Sequence, residues 1–225
     1  VHYAKSIGFK NIGLVTNGIR LADSSYLYAL LDAGVNIINL SFVATTPESS
    51  KAIYGRSVIE EQYKALENLK KLRLRFLLTF QIIITRHNQD LVGDIFDVLT
   101  ELNPENIIAI NGVQLKHLRE NILADLQRVN IVNHYDRLRN SVSSNIKLRH
   151  FPRCVIPKNY WEFFQFGDEC DLRIPDKEGA LDERFVTMDK AEICDSCIYK
   201  DVCELSSKLY LETYPDQTLY PITAD

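Results

Sequence analysis

Two kinds of block alternate along the first 150 residues. Short apolar runs end in small polar residues: Asn11-Ile-Gly-Leu-Val-Thr16 before Asn17-Gly18, then Val35–Phe42, Arg75–Thr85 and Asn106–Ile110, with Ile146–Arg149 as a candidate fifth. Apolar runs bounded by turn residues predict buried strands. The segments between them repeat at helical spacing. Asp23 and Ser24 are placed to cap a helix through Leu27, Leu30 and Leu31 that stops at Gly34. Ser57 precedes a helix to about Lys71 with Ile59, Tyr63, Leu66 and Leu69 on one stripe, and Asp90 is placed to cap another to about Leu102. A further helical stretch begins near Gln114.

Strand and helix thus recur about every 25–35 residues. That rhythm predicts an α/β fold of parallel strands covered by helices, either a (β/α) barrel or an open doubly wound sheet. Both architectures bind ligands at the carboxyl ends of their strands. The polar residues there are Thr16-Asn17-Gly18, Ser41, Thr85 to Asn88, and Asn111-Gly112. Hydroxyls and amides at successive strand ends suit a polar organic ligand, although strand ends also turn into plain polar loops.

Composition narrows the class. With 46% hydrophobic and 25% charged residues, the chain is neither collagen-like, coiled-coil nor disordered, and its apolar runs are too short to span a bilayer. Val1-His-Tyr-Ala-Lys5 is neither a signal nor a transit peptide, so a cytoplasmic location is expected. The net charge of −4 is spread unevenly: residues 1–150 carry +4 and residues 151–225 carry −8. All five cysteines (154, 170, 194, 197 and 203) lie in the acidic part. The shift predicts two regions, 1–150 and 151–225, built for different work. An acidic balance offers little to nucleic acid, whose phosphates need Lys and Arg.

Several catalytic patterns are absent. Gly13 to Gly18 has phosphate-loop spacing, but Ile19-Arg20 stands where Lys-Ser/Thr is needed. No nucleophile elbow, G-x-G-x-x-G or H-E-x-x-H occurs, and Glu60-Glu61 and Asp182-Glu183 read as solvated surface. The positive signal is Cys194-Asp-Ser-Cys197-Ile-Tyr-Lys-Asp-Val-Cys203. Thiolates two residues apart wrap one metal centre, and a third Cys six residues later fits that wrap. Cys154 is the candidate fourth ligand. Cys170 competes, but its neighbours Asp168, Glu169 and Asp171 would raise the energy of a thiolate. The spacing accommodates an iron–sulfur cluster, a structural zinc completed by Cys154 or His150, or unliganded thiols.

The order of these pieces resembles the radical S-adenosylmethionine (SAM) superfamily. The resemblance is carried by Ala4-Lys-Ser-Ile-Gly8, Leu14-Val-Thr-Asn-Gly18, Leu31-Asp-Ala-Gly34-Val-Asn-Ile-Ile-Asn-Leu-Ser41, Thr46-Pro47-Glu48, Tyr54-Gly55 and Ile82-Ile-Ile-Thr-Arg-His-Asn88 with Asp90-Leu91. Phe151-Pro-Arg-Cys154, the three later cysteines, a helix through Tyr210 and Tyr214, and Pro221-Ile222 are similar to the twitch or SPASM-type extension of some members.

The resemblance implies a partial (β/α)6 TIM-like barrel over residues 1–150 and a small Cys-rich extension over 151–225. It implies SAM contacts at Thr16, Asn17 and Ser41, with Thr85 and Asn88 after the next strand. It also implies an auxiliary 4Fe–4S cluster on Cys154, Cys194, Cys197 and Cys203. The implied partners are SAM, an unknown small molecule or peptide, and an electron donor such as flavodoxin or ferredoxin, with no nucleic acid and no membrane. The family's C-x3-C-x2-C motif and its G-G-E-P-type strand are absent from these residues and expected upstream of Val1. The chain therefore reads as a fragment that would not act alone. The acidic tail favours a neutral or cationic substrate, or a basic peptide. The alternative is a non-catalytic α/β binding module with a zinc knuckle.

Overall fold

The computed structural model describes residues 1–102, 106–111, 123–141, 145–149, 151–165, 174–175, 181–182, 189–203 and 205–224. The expected helical stretch from Gln114, together with Gly112, His150, Cys170 and Glu183, lies outside them.

Six strands form one all-parallel sheet in the order of the chain: β1 (Gly13–Thr16), β2 (Ile37–Ser41), β3 (Leu77–Ile83), β4 (Asn106–Asn111), β5 (Asn145–Arg149) and β6 (Phe164–Gln165). A doubly wound sheet reverses its order at a switch point. This one does not, so its crossovers wind in a single direction. β7 (Ile174–Pro175) and β8 (Leu181–Asp182) form a separate antiparallel pair.

The helices are α1 (His2–Ser6), α2 (Ser24–Ala33), α3 (Pro47–Tyr54), α4 (Ile59–Lys71), α5 (Val92–Leu102), α6 (Leu126–Val129), α7 (Ile131–Ser141) and α8 (Ser207–Thr213). Their ends follow local chemistry. The Asp23 carboxylate accepts from the amides of Ser25 and Tyr26 at the start of α2, and Gly34 closes that helix at φ 118°. Thr46 and Ser49 cap α3 reciprocally, with Pro47 in its first turn. Asp90 does not cap α5 as its position suggested. It lies in a 3-10 turn, Gln89–Leu91, and forms an ion pair with Arg128 at 2.9 Å.

Strand alternation divides the sheet into two faces. Ile38, Leu40, Leu78, Phe80, Ile82 and Leu148 are buried in one apolar core with Leu27 and Leu31 of α2, Leu66 and Leu69 of α4, and Phe96 and Leu99 of α5. The alternate positions Val15, Asn39, Ser41, Gln81 and Arg149 face the other way, and Val15 is 67% exposed. The acidic half joins the same core through Phe151, Ile156, Phe164, Leu205 and Tyr210, and β6 pairs with β5.

Candidate functional site at the strand ends and the cysteine corner

The chain turns sharply after β1. Thr16 Oγ1 accepts from the Gly18 amide at 3.1 Å, and Asn17 Oδ1 accepts from the Ile19 amide at 3.3 Å. Gly18 holds φ 81°, and a Cβ there would meet Leu40 Cδ1 at 2.6 Å, so both conformation and space demand glycine. Gln62, on the buried stripe of α4, donates from Nε2 to the carbonyls of Asn17 (2.9 Å) and Ser41 (3.5 Å). One amide thereby fixes the ends of β1 and β2 together.

The loop after β3 is tied down as tightly. Asn88 is 1% exposed. Its Oδ1 accepts from Thr85 N at 2.7 Å and Thr85 Oγ1 at 3.3 Å, while its Nδ2 donates to the carbonyls of Val43 (2.8 Å) and Ile83 (2.9 Å). Thr16, Asn17, Ser41, Thr85 and Asn88 therefore stand at the carboxyl ends of three adjacent strands. Thr85 and Asn88 use their polar atoms to shape the loop.

Four buried side-chain atoms among the described residues have no hydrogen-bond partner: Asn39 Oδ1, Thr45 Oγ1, Gln62 Oε1 and Arg149 Nε. Leaving such a group unmatched costs about 1–3 kcal/mol, so natural folds keep few of them. Three of the four lie at the carboxyl end of the sheet, and Asn39 stands in the middle of its strand. Asn39 is on β2, Thr45 is in the loop after it, Gln62 braces two strand ends, and Arg149 is the last residue of β5. Polar groups oriented by the fold yet left unmatched are what a polar ligand requires. An open cleft of about 860 Å³ lies elsewhere, between Arg20, Tyr26, Ser57, Glu60 and Lys64, and includes none of these groups. Glu61 pairs with Arg56 at 2.8 Å, and that guanidinium holds its exposed carboxyl below the usual range, in keeping with a solvated role.

Cysteines from distant parts of the sequence share one corner. Cys154 lies in a 3-10 turn, Arg153–Val155, and Cys194 in another, Glu192–Ser196. The Cys197 amide donates to the Cys194 carbonyl at 3.0 Å, closing the C-x2-C turn. The Arg153 guanidinium lies over both the Tyr199 ring (4.4 Å) and the Trp161 ring (5.1 Å), stapling the Cys154 turn to the Cys197–Cys203 loop. Cys154, Cys194, Cys197 and Cys203 are all free and half-buried. Burial first, then the charges of Cys203, Cys194 and Cys197, push the Cys154 thiol up to about 12. Burial also raises the Cys203 thiol, opposed by Lys190, whose ammonium donates to the Cys203 carbonyl at 2.5 Å.

The other three sulfurs thus lie near enough to Cys154 to disfavour its thiolate, the condition that a metal cation relieves. As drawn they are not gathered at ligand distance: among the described residues, no three His, Cys, Asp or Glu side chains form a metal-holding group. The donor set fits a thiolate-bound metal in its chemistry.

Helix α8 joins the two places. Ser207, 1% exposed, has its Oγ 3.2 Å from Cys194 Sγ. One turn later, the Tyr210 hydroxyl donates to Asp125 at 3.3 Å, and the Asp125 amide donates to Gln89 Oε1 at 2.7 Å beside Asn88. Burial, then the Asp125 charge, raises the Tyr210 phenol, keeping it a donor.

Sequence reasoning missed Asn39, Gln62, Arg149, Asp125 and Ser207. Asn39 interrupts an apolar strand, and Gln62 stands on an apolar helix stripe. Both irregularities were visible. Arg149, Asp125 and Ser207 gave no local signal.

No protein-family profile matches the chain. Curated relatives do. The chain is 26% identical over 116 residues to a 7,8-dihydro-6-hydroxymethylpterin dimethyltransferase of Methanocaldococcus jannaschii, a match to 52% of this chain and 22% of the relative. It is 29% identical over 111 residues to a probable GTP 3',8-cyclase of Sulfolobus acidocaldarius, covering 49% and 34%. A probable GTP 3',8-cyclase of Saccharolobus islandicus is 25% identical over 156 residues, covering 68% and 48%. The matched stretches span less than half the length of each relative. These enzymes are radical SAM family members, and the likeness supports the radical SAM resemblance at the level of the superfamily. No helix among the described residues is long and apolar enough to cross a membrane.

Proposed function

We propose that the protein carrying this chain is a radical SAM enzyme, and that the one-way parallel sheet is part of its (β/α) barrel wall. When bound, SAM and the catalytic cluster supply a 5′-deoxyadenosyl radical for hydrogen abstraction from substrate. This chain's residues place the partners. Thr16, Asn17 and Ser41 contact SAM at the ends of β1 and β2. Thr85 and Asn88 set the neighbouring loop against Val43, and the open face of the sheet holds the substrate. Cys154, Cys194, Cys197 and Cys203 hold an auxiliary 4Fe–4S cluster, and a flavodoxin or ferredoxin supplies electrons. The relatives' names, two of them GTP cyclases and one a pterin dimethyltransferase, favour a small heterocyclic substrate over a peptide.

The observation that carries this reading is likeness to such enzymes over as much as 68% of the chain, on a sheet with three unmatched polar atoms, of Thr45, Gln62 and Arg149, at its carboxyl end. The test is anaerobic reconstitution of the whole protein with iron and sulfide, followed by SAM and a strong reductant. 5′-Deoxyadenosine should form, and Asn17→Ala or Ser41→Ala should raise the SAM concentration required. Full iron loading with no 5′-deoxyadenosine would contradict the reading.

A further inference from the structure

A cation stands at the carboxyl end of the open face of the sheet. Arg149 closes β5, in register with Asn111 of β4 and Gln165 of β6. Its neighbour Leu148 is fully buried in the core, so alternation sends the Arg149 side chain to the opposite face, which also bears Ser41 and Gln81. Arg149 Nε is shut off from solvent and has no hydrogen-bond partner. None of the ion pairs among the described residues includes Arg149. A guanidinium with a dry, unmatched N–H is costly to fold, and an anionic oxygen is the partner that relieves that cost most strongly.

We propose that Arg149 receives an anionic oxygen group, phosphate or carboxylate, of a ligand lying across the open face. Neighbouring strands are about 4.8 Å apart, so Arg149 stands roughly 10 Å from β3 and about 14 Å from β2. It serves the end of the ligand far from Thr16, Asn17 and Ser41. Asn39 Oδ1, unmatched on the same face of β2, is an acceptor for an N–H or O–H nearer the other end. A long, polar ligand with one anionic end fits both groups. The acidic balance of residues 151–225 suggested a neutral or cationic substrate, but a buried, unmatched guanidinium N–H at the binding face outweighs an average charge on solvated surface. The inference rests on the proposed function only for which molecule supplies the anion.

The full chain is titrated with pyrophosphate and, separately, with methionine, and thermal unfolding is followed at each concentration. One of the two should raise the wild-type midpoint, and Arg149→Gln should weaken that ligand about tenfold to a hundredfold. Pyrophosphate dependence assigns the group to a phosphorylated substrate; methionine dependence assigns it to the amino-acid end of SAM. Arg149→Lys keeps the charge but loses the planar fork, and should retain weakened binding even if the Gln variant fails to fold. Equal binding by wild type and variants, or no effect of either ligand on the wild type, overturns the proposal. Formation of 5′-deoxyadenosine is read separately, so its loss with anion binding intact rejects the radical reading and leaves Arg149's role standing.

Discussion

The strand ends and the cysteine corner are built in opposite ways. At the strand ends, motif residues satisfy one another: Asn88 makes four hydrogen bonds and Thr16 closes a turn onto Gly18. The unmatched atoms belong to Asn39, Thr45, Gln62 and Arg149, which no motif singled out. At the corner the motif residues are themselves the unsettled groups, because burial and the neighbouring thiols raise the cost of ionising Cys154 and Cys203. One site is a finished frame that offers a few polar atoms to a ligand. The other is a set of thiols in which burial opposes the ionisation of Cys154 and Cys203.

That contrast is open to breaking. Asn88→Ala should have the largest effect, a loss on the order of 3 kcal/mol in denaturant unfolding, since it strips partners from the buried carbonyls of Val43 and Ile83. The loss should be the same with or without metal. Gly18→Ala should cost about 2 kcal/mol, from a left-handed backbone and the clash with Leu40. Arg153→Ala should cost only about 1 kcal/mol in the metal-free chain, where it removes two exposed-edge ring contacts. In the metal-loaded chain it should hasten metal loss to a chelator. An Arg153 effect as large without metal as with it would erase the distinction between the two places.

The remaining effect is a pH dependence, absent at neutral pH and confined to alkaline solution. The folded chain holds the Cys154 thiol at about 12, above its ordinary value near 9. Its contribution is fully present below pH 9 and lost as the pH rises toward 12, because the unfolded chain ionises first. Urea midpoints of the metal-free chain should fall across that window, and Cys154→Ser should flatten the fall.

Much of the frame was legible in the sequence. Alternating apolar runs gave β1 to β5 within a few residues, and Asp23 and Gly34 marked the ends of α2, because these signals are local. Helix α3 was not read as a helix: its capping box uses Ser49 where Glu or Gln is the familiar partner, and its apolar content is low. Asp90 misled because a good capping residue was claimed by Arg128, distant in sequence. Strand order, which bears on the choice between two α/β architectures, is a long-range property that no window displays. Cys154 was named as a candidate from residue type, but the Arg153 staple to Tyr199 and Trp161 that ties its turn to the later cysteines depends on packing between segments some 40 residues apart. Arg149 was invisible for the same reason. Its meaning lies in what its Nε fails to meet.

The most direct test of the account is metal content after anaerobic purification, with iron, sulfide and zinc measured per chain beside Cys154→Ser and Cys197→Ser variants. The account predicts about four iron and four sulfide attributable to the corner, lost in both variants. About one zinc without sulfide, or iron that survives the loss of Cys154, would contradict it.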